Sequence, residues 1–369
     1  MPAPRILAAM QGRRRPLVNR AIGRDPRGSI GGTRMTEADS LIVEQGNGVA
    51  NLRLNRPGAL NALDPAMITG IARHLESWRS DPAVSMVLVE GEGGRAFCAG
   101  GDVRAARRML LDGDAEGVNA FLAEEYRMNG AIAALPKPWV SLIDGVCMGG
   151  GIGVSVHGSH RVATEAAVFA MPETTIGLFP DVGTSFVLSR MPGALGVWLG
   201  LTGARLQGEA AVEAGFATHF IARQDLPALR GALLAGDAGA IDRMARRAGP
   251  GALAALRPAI DRCFGAGSVA AILAALRAEN SDWAREQLSV LDRVSPTSLL
   301  VTHEMLRRAR DLDLPACLAM DTALARGMTA HPDFAEGVRA LLVDKDNAPR
   351  WTPPTLAEAE AVGVARFFG

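Results

Sequence analysis

The chain has 369 residues, 48% of them hydrophobic, which is enough for a large core in one or two domains. Lysine plus arginine equals aspartate plus glutamate at 39 each, so no bulk charge attracts nucleic acid or an anionic membrane. No apolar run reaches the roughly 18–20 residues of a membrane-spanning helix. We therefore expect a protein that binds neither nucleic acid nor a membrane.

The first 34 residues differ in composition from the rest. They are rich in arginine, contain Asp25 as their one acid and show no hydrophobic periodicity. Such a leader is typical of an organelle transit peptide. Met35, followed at once by strand-like sequence, instead indicates the true start, and we favour this interpretation. Residues 1–34 are thus predicted to be an extension, disordered or mis-assigned. The expected location is a bacterial cytoplasm, or the mitochondrial matrix if the extension is a transit peptide.

The first elements form one strand-strand-helix-strand unit. Alternating apolar residues over 41–54, interrupted by a glycine-containing turn, predict a β-hairpin. Asp64 and Pro65 suit the N-cap and first position of a helix whose apolar residues repeat as far as Trp78. A short apolar run over 84–89 predicts the next strand.

The same pattern then repeats in outline. A helix is predicted over 114–135, where two prolines stop it, and a strand over 139–143. The glycines at 149–151 open another helix. Strands over 161–164 and 168–170 complete the repeat.

After Ile221 the sequence becomes rich in alanine, leucine and arginine in amphipathic segments, with little alternation at period two. We predict an α/β core over residues 35–228 that contains the active site, followed by a C-terminal helical region over 229–369.

Two glycine turns lie between a predicted strand and a predicted helix. The first contains Gly100-Gly101 and the second Gly149-Gly150-Gly151. Glycines leave backbone amides accessible, and two such turns could supply the two donors of an oxyanion hole for a thioester carbonyl. The alternatives are a tight turn capped by Asp102 and close packing of a helix on a sheet. The second turn lacks the lysine and hydroxyl residue of a phosphate-binding loop.

Two acids each follow a proline. Glu173 follows Pro172, and Asp181 follows Pro180. Exposed loop acids are the simpler interpretation, but the apolar residues between them favour positioned groups. By the same local criteria, Glu124-Glu125 is charge on a solvated helix face. The four cysteines have no metal-ligand spacing, so we expect reduced thiols and no metal.

Taken as a set, these motifs closely resemble the crotonase, or enoyl-CoA hydratase/isomerase, superfamily, and within it the 3-hydroxyisobutyryl-CoA hydrolases. The resemblance spans nearly everything after residue 40. Its matching stretches are Leu54–Pro57, Leu60–Leu63, Ala96–Asp102, Gly149–His157, Met171–Gly183, Leu201–Gly203, Ala217–His219, Ser295–Ser298, Asp333–Phe334, Glu336–Arg339 and Asp344–Asp346.

The resemblance implies a crotonase-like spiral of repeated strand-strand-helix units, followed by a C-terminal helical region. It implies that the amides of Gly101 and Gly150 form the oxyanion hole, and that Glu125 lines the substrate pocket, against the local interpretation. An acyl-CoA is the implied substrate, with CoA as part of it and no separate cofactor. Crotonase relatives often assemble as homo-oligomers.

The acids discriminate within the superfamily. Hydratases of this group use two glutamates. Gly153 occupies the position of the first, so that acid is absent here, and Glu173 matches the second. Asp181 stands where hydratases carry glycine. Hydration needs groups on both sides of one water, so the loss of one acid disfavours it. Thioester hydrolysis needs one carboxylate and a stabilised oxyanion.

We therefore predict hydrolysis of a short 3-hydroxyacyl-CoA, best matched by 3-hydroxyisobutyryl-CoA in valine degradation. Glu173 is the predicted nucleophile or general base, and Asp181 holds the 3-hydroxyl or relays a proton to departing CoA. The alternatives are a hydratase or isomerase with a displaced acid and a non-catalytic acyl-CoA-binding protein. Arg56, Arg104 and Lys137 are candidates for binding the CoA nucleotide.

Overall fold

The computed structural model describes residues 40–246 and 251–369. The predictions made for residues 1–34 lie outside these ranges. No helix in the described ranges has the length and apolar character needed to cross a membrane.

The described residues form two β-sheets and a larger number of helices. The strands are β1 (Leu41–Gly46), β2 (Val49–Leu54), β3 (Met86–Gly91), β4 (Ala96–Cys98), β5 (Trp139–Ile143), β6 (Val146–Met148), β7 (His160–Ala163), β8 (Val168–Ala170), β9 (Leu206–Gln207) and β10 (His219–Phe220). The α-helices are α1 (Pro65–Ser80), α2 (Val103–Leu111), α3 (Ala115–Ala133), α4 (Gly150–Val156), α5 (Thr184–Leu188), α6 (Leu195–Thr202), α7 (Glu209–Ala214), α8 (Leu226–Leu234), α9 (Ala240–Met244), α10 (Ala252–Phe264), α11 (Val269–Glu279), α12 (Asp282–Leu291), α13 (Pro296–Ala309), α14 (Leu314–Ala330), α15 (Pro332–Val338) and α16 (Leu356–Val362).

Local signals account for most early boundaries. The hairpin β1–β2 and the strand β5 lie where the sequence predicts them, and Asp64 caps α1 by accepting the Met67 amide at 2.8 Å. The strand predicted over 84–89 instead runs over Met86–Gly91. Its first two residues belong to a turn, because the Val84 amide donates to the carbonyl of Asp81.

The strands alternate between the two sheets. The larger sheet has the order β1-β2-β3-β5-β7-β10 and the smaller one β4-β6-β8-β9. Each of the pairs β3–β4, β5–β6 and β7–β8 thus places its first strand in the larger sheet and its second strand in the smaller one. The chain winds along both sheets as it repeats this unit, which makes a spiral of strand-strand-helix units.

Helices pack against the sheets. Leu229 and Leu233 of α8 pack with Leu88, Val140 and other buried residues of the larger sheet. In the chain described after β10, the regular elements are helices. Of these, α14 contacts α3 and α5, while α15 packs on the short 3-10 turn at Glu173–Ile176. The boundary between residues 228 and 229 stays a prediction.

Candidate active site

Three neighbouring strands of the smaller sheet bring the site together. β4 pairs with β6, and β6 with β8, in parallel, so their carboxyl ends lie at one edge. The chain that leaves these strands carries Gly101, Gly150 and Glu173 in turn. Parallel sheets bind ligands beyond this edge. The topology thus brings together three residues that lie far apart in the sequence.

The amides of Gly101 and Gly150 lie side by side. A methyl group placed on Gly150 would lie 3.2 Å from the Gly101 nitrogen. Neither amide donates a hydrogen bond to another residue within 40–246 or 251–369. Gly149 permits this arrangement, since its φ of +50° and ψ of −123° are unfavourable for residues with a Cβ. Two accessible N–H groups from separate turns are suited to one carbonyl oxygen.

Glu173 opens the 3-10 turn that directly follows β8. Its side chain is 7% exposed, and its Oε1 would lie 2.9 Å from a methyl group on Gly149. Its Oε2 is buried and has no hydrogen-bond partner in the described chain. Asp181 is likewise only 6% exposed. The interpretation of these residues as exposed loop acids is therefore wrong.

Asp181 lies in a turn with an unusual backbone. The next residue, Val182, has a φ of +53°, which β-branched residues rarely adopt and which costs on the order of 1–3 kcal/mol. Tyr126 of α3 donates its hydroxyl to Oδ2 of Asp181 at 2.8 Å. His157 donates its Nε2–H to the Val182 carbonyl at 2.7 Å. These bonds fix the direction of the Asp181 carboxyl group.

Glu125 lies on the buried face of α3 and is 2% exposed. A methyl group on Gly101 would lie 3.6 Å from its Oε2, and one on Gly150 would collide with its Oε1. The local interpretation as solvated charge is therefore wrong for Glu125. Its neighbour Glu124 forms a partly exposed salt bridge with Arg127. Glu125 thus faces both glycine turns from the helix.

Burial opposes the ionisation of all three acids, and the charges of neighbouring acids add to this effect at Glu125 and Glu173. Burial and then the charge of Asp181 raise the pKa of Glu125 to about 8. The same causes, with a smaller one from Glu125, hold the pKa of Glu173 well above its ordinary value. Burial raises the pKa of Asp181 to about 6, although the hydrogen bond from Tyr126 favours its ionised form. Such a group of perturbed carboxyls is typical of a catalytic site.

Cysteine is a weaker candidate for the nucleophile. All four cysteines are buried and unbridged. Burial raises the pKa of Cys98 to about 12 and raises that of Cys147 as well. A thiol with so high a pKa supplies almost no thiolate near neutral pH. The carboxylates remain the candidate nucleophiles.

Two of the three basic residues considered for CoA binding have structural partners. Arg56 pairs with Asp64 at 3.1 Å and with Asp102 at 3.0 Å. Lys137 donates to two backbone carbonyls at the end of α1. Arg104 lies exposed on α2 and stays a candidate.

A separate cavity of about 500 Å³ lies between α3 and α14. Its walls are mainly alanine, leucine and glycine side chains, and Tyr126 contributes to them. None of the three buried acids lines this cavity. Tyr126 therefore stands between the cavity and the carboxyl group of Asp181, to which its hydroxyl donates.

The family model described as enoyl-CoA hydratase/isomerase matches residues 49–368. The chain belongs to the enoyl-CoA hydratase/isomerase family. The mitochondrial 3-hydroxyisobutyryl-CoA hydrolase of Rattus norvegicus is 40% identical over 348 residues, which cover 91% of this chain and 90% of that protein.

Two solved structures of the enoyl-CoA hydratase/isomerase type are also similar, each at 40% identity. A carnitinyl-CoA dehydratase from Mycobacterium thermoresistibile has a TM-score of 0.86 and matches 90% of this chain and 96% of its own. An enoyl-CoA hydratase from Rhodobacter sphaeroides 2.4.1 has a TM-score of 0.85 and matches 89% and 97%. The predicted family and the predicted crotonase-like α/β spiral with its C-terminal helical region are confirmed.

Within this family, Gly153 marks a departure from the hydratase pattern described above. A methyl group on Gly153 would lie 2.7 Å from Cβ of Val182 and 2.9 Å from Nδ2 of Asn129. The position of the first hydratase glutamate is therefore filled by neighbouring side chains. The sequence shows that the acid is missing, but only the packing shows why no side chain fits there.

Proposed function

We propose that this chain hydrolyses a short 3-hydroxyacyl-CoA thioester, with 3-hydroxyisobutyryl-CoA as the first candidate substrate. The observation that carries the proposal is the position of Glu173. Its buried carboxyl group lies next to Gly149, and the amide of the following residue, Gly150, lies close to that of Gly101. Val182 and Asn129 leave no room for a second glutamate at position 153. The similarity to a 3-hydroxyisobutyryl-CoA hydrolase over most of both chains supports the same conclusion.

In the proposed reaction, the thioester oxygen accepts hydrogen bonds from the amides of Gly101 and Gly150. Negative charge develops on that oxygen as the carbonyl carbon is attacked. Donors that are already oriented stabilise this charge without reorganisation, and each is worth on the order of 10² to 10³-fold in rate. The backbone conformation of Gly149, with its positive φ, sets the direction of the Gly150 amide.

Glu173 begins the reaction in one of two ways. It can attack the carbonyl carbon, so that the C–S bond breaks, an anhydride forms and water then hydrolyses it. It can instead take a proton from a water molecule that attacks the same carbon. Both routes consume one water and release the carboxylic acid and the CoA thiol. Both require Glu173 to be ionised.

Asp181 and Glu125 complete the site. Asp181 holds the 3-hydroxyl group of the substrate or passes a proton to the departing thiolate. Glu125 lines the substrate pocket next to both glycines.

The proposal extends to the setting of the reaction. The chemistry uses protein groups and water, with CoA as part of the substrate and no separate cofactor. We place the reaction in valine degradation, in a bacterial cytoplasm or, if residues 1–34 are a transit peptide, in the mitochondrial matrix. A homo-oligomer is the proposed assembly, which sedimentation of the purified protein would test.

Release of free thiol from 3-hydroxyisobutyryl-CoA tests the proposed activity. The wild-type protein should release thiol from this substrate and leave the absorbance of crotonyl-CoA unchanged. Glu173→Gln removes the ionisable group with little change of shape, and should lower kcat by about 10³-fold or more. Glu124→Gln is the matched control, since Glu124 pairs with Arg127 outside the site. It should keep kcat within about twofold.

The two rival functions predict different results. Hydration of crotonyl-CoA without thiol release would favour a hydratase with a displaced acid. Binding of CoA esters without thiol release from any short 3-hydroxyacyl-CoA would favour a non-catalytic binding protein. Equal activity of Glu173→Gln and wild type would remove Glu173 from the mechanism.

A further inference from the structure

A fourth buried acid contacts the turn that carries Asp181. Asp321 lies on α14 in the C-terminal helical part of the chain and is fully buried. Its Oδ2 accepts a hydrogen bond from the amide of Gly183 at 2.7 Å. The reaction proposed above makes no use of this carboxyl group. Buried carboxyls are costly, so a specific role for Asp321 is expected.

The turn at Asp181 needs support from outside. Val182 and Gly183 have consecutive positive φ values of +53° and +73°. A β-branched residue in this region persists only where the surroundings hold it. The Val182 carbonyl is held by His157, at the end of α4. The next amide, that of Gly183, is held by Asp321. Bonds from two elements thus hold the turn on either side of the same peptide unit.

We propose that Asp321 is a positioning residue for thioester hydrolysis. By accepting the Gly183 amide, it keeps Val182 in the left-handed conformation and directs the carboxyl group of Asp181 toward the acyl pocket. This inference rests on the proposed function. It also gives α14 a part in the site, because the bond joins residues 138 positions apart in the chain.

The role of Asp321 depends on its geometry rather than its charge. Burial and, after it, the charge of Asp181 hold the pKa of Asp321 well above its ordinary value. Both effects disfavour the charged form of Asp321, whereas the hydrogen bond from Gly183 needs only an acceptor oxygen. Asparagine has nearly the same shape as a neutral aspartic acid and can accept the same backbone hydrogen bond. Leucine has a similar volume but accepts none.

This contrast defines the experiment. Full-length wild type, Asp321→Asn and Asp321→Leu are assayed for thiol release from 3-hydroxyisobutyryl-CoA, and hydrogen exchange is measured on the peptide that contains Gly183. Thr329→Val is the matched control, because it removes another buried polar group from α14. Among the described residues, the Thr329 hydroxyl donates only to the Ala325 carbonyl of the same helix.

Asp321→Leu should lower kcat by about 10 to 100-fold with KM changed less than about threefold, since misplaced groups mainly affect the transition state. Exchange at Gly183 should accelerate at least about tenfold. Asp321→Asn and Thr329→Val should stay within about threefold of wild type in both measurements.

Other outcomes would overturn the inference. One is an Asp321→Leu protein with normal kcat or with normal protection of the Gly183 amide. Another is an Asp321→Asn protein that is as impaired as the leucine variant. A third is a Thr329→Val protein whose kcat falls as much as that of Asp321→Leu. If Asp321→Leu does not fold, Asp321→Ser replaces it, because serine is too short to reach the amide. Absence of thiol release from wild type would refute the proposed function, while hydrogen exchange would still report on the turn.

Discussion

Gly153 and Val182 lie next to each other, so the side chain at either position limits the size of the side chain at the other. The side chain of Val182 lies where a side chain at position 153 would begin. Val182 is placed there by the left-handed turn that also presents Asp181. The turn that presents Asp181 and the absence of a side chain at position 153 are therefore parts of one packing arrangement. This coupling gives a physical reason why the hydratase pair of acids and the Glu173–Asp181 pair exclude each other here.

Restoring the missing glutamate should therefore fail to create a hydratase. Gly153→Glu must displace Val182 or Asn129, and overpacking of this kind costs about 1–3 kcal/mol. We expect lower unfolding free energy in urea, weaker thiol release and no hydration of crotonyl-CoA. Gly231→Glu is the matched control, because Gly231 is an exposed helical glycine with open space around it. A stable Gly153→Glu protein that hydrates crotonyl-CoA would contradict this explanation.

The charge of Asp181 should be visible in the titration of Glu173. Because that charge helps to raise the pKa of Glu173, Asp181→Asn should lower this pKa. Glu173 acts when ionised, so activity is lost as the pH falls through its pKa. We expect Asp181→Asn to reduce kcat/KM by about 10² to 10⁴-fold, with the acid limb of the residual activity shifted to lower pH. An acid limb shifted to higher pH would contradict the coupling.

Local sequence signals predict where a helix or strand begins and ends better than they predict which other elements it packs against. Caps and prolines predict α3, which the structure places at Ala115–Ala133 with Asp114 as its N-cap. They do not predict which face of α3 is buried, and local criteria therefore misjudged Glu125. The family resemblance predicts that Glu125 lines the substrate pocket, and the structure places its carboxyl group next to Gly101 and Gly150. No local feature marks Asp321, since its role depends on α14 packing against the turn after Asp181.

Ser295 forms hydrogen bonds with three elements and should therefore stabilise the fold by more than its cap on α13. Its hydroxyl donates to Asp333 at 2.6 Å and accepts the Ser298 amide as the N-cap of α13. Its own amide donates to the carbonyl of Thr174 in the turn that begins with Glu173. Ser295→Ala would leave the buried carboxyl group of Asp333 with one partner fewer, and we expect a loss of about 2–4 kcal/mol.

Ser281→Ala provides the comparison, because Ser281 caps α12 through the Ala284 amide alone among the described residues. This variant should lose about 1 kcal/mol in urea unfolding. If the two variants lose the same free energy, the bond to Asp333 contributes nothing beyond the cap.

At the scale of the molecule, the four buried acids at or next to the candidate site come from distant parts of the chain. Glu125 comes from α3, Glu173 and Asp181 from the loops after β8, and Asp321 from α14. Their burial opposes ionisation, so the rest of the fold stabilises a site that is unfavourable by itself. Parallel strand ends and C-terminal helices both hold this site. Neither contribution can be read from a single segment, which is why local sequence features singled out Glu173 and Asp181 but neither Glu125 nor Asp321.

The free energy lost by burying these carboxyl groups should appear as a pH dependence of the unfolding free energy. A carboxyl group with a raised pKa ionises first in the unfolded chain, so the folded state loses stability as pH rises between the two pKa values. For Glu125 this range runs from about 4.5 to about 8. Burial lowers the pKa of His157 to about 4, which has the opposite effect, but only below the unfolded value of 6.5.

Between pH 6.5 and 8, among the groups with shifted pKa values, the buried acids should therefore determine how stability changes with pH. We expect the free energy of urea unfolding to fall by about 1 kcal/mol per pH unit for each carboxyl group whose folded pKa lies above this range or at its upper end, as for Glu125. Asp181, with a pKa of about 6, should contribute little here. Glu125→Gln should flatten the slope by about one such contribution and raise stability at pH 8, while Thr329→Val, which removes no ionisable group, should leave the slope unchanged. A wild-type stability that is constant or rises over this range would show that these acids are not held against ionisation.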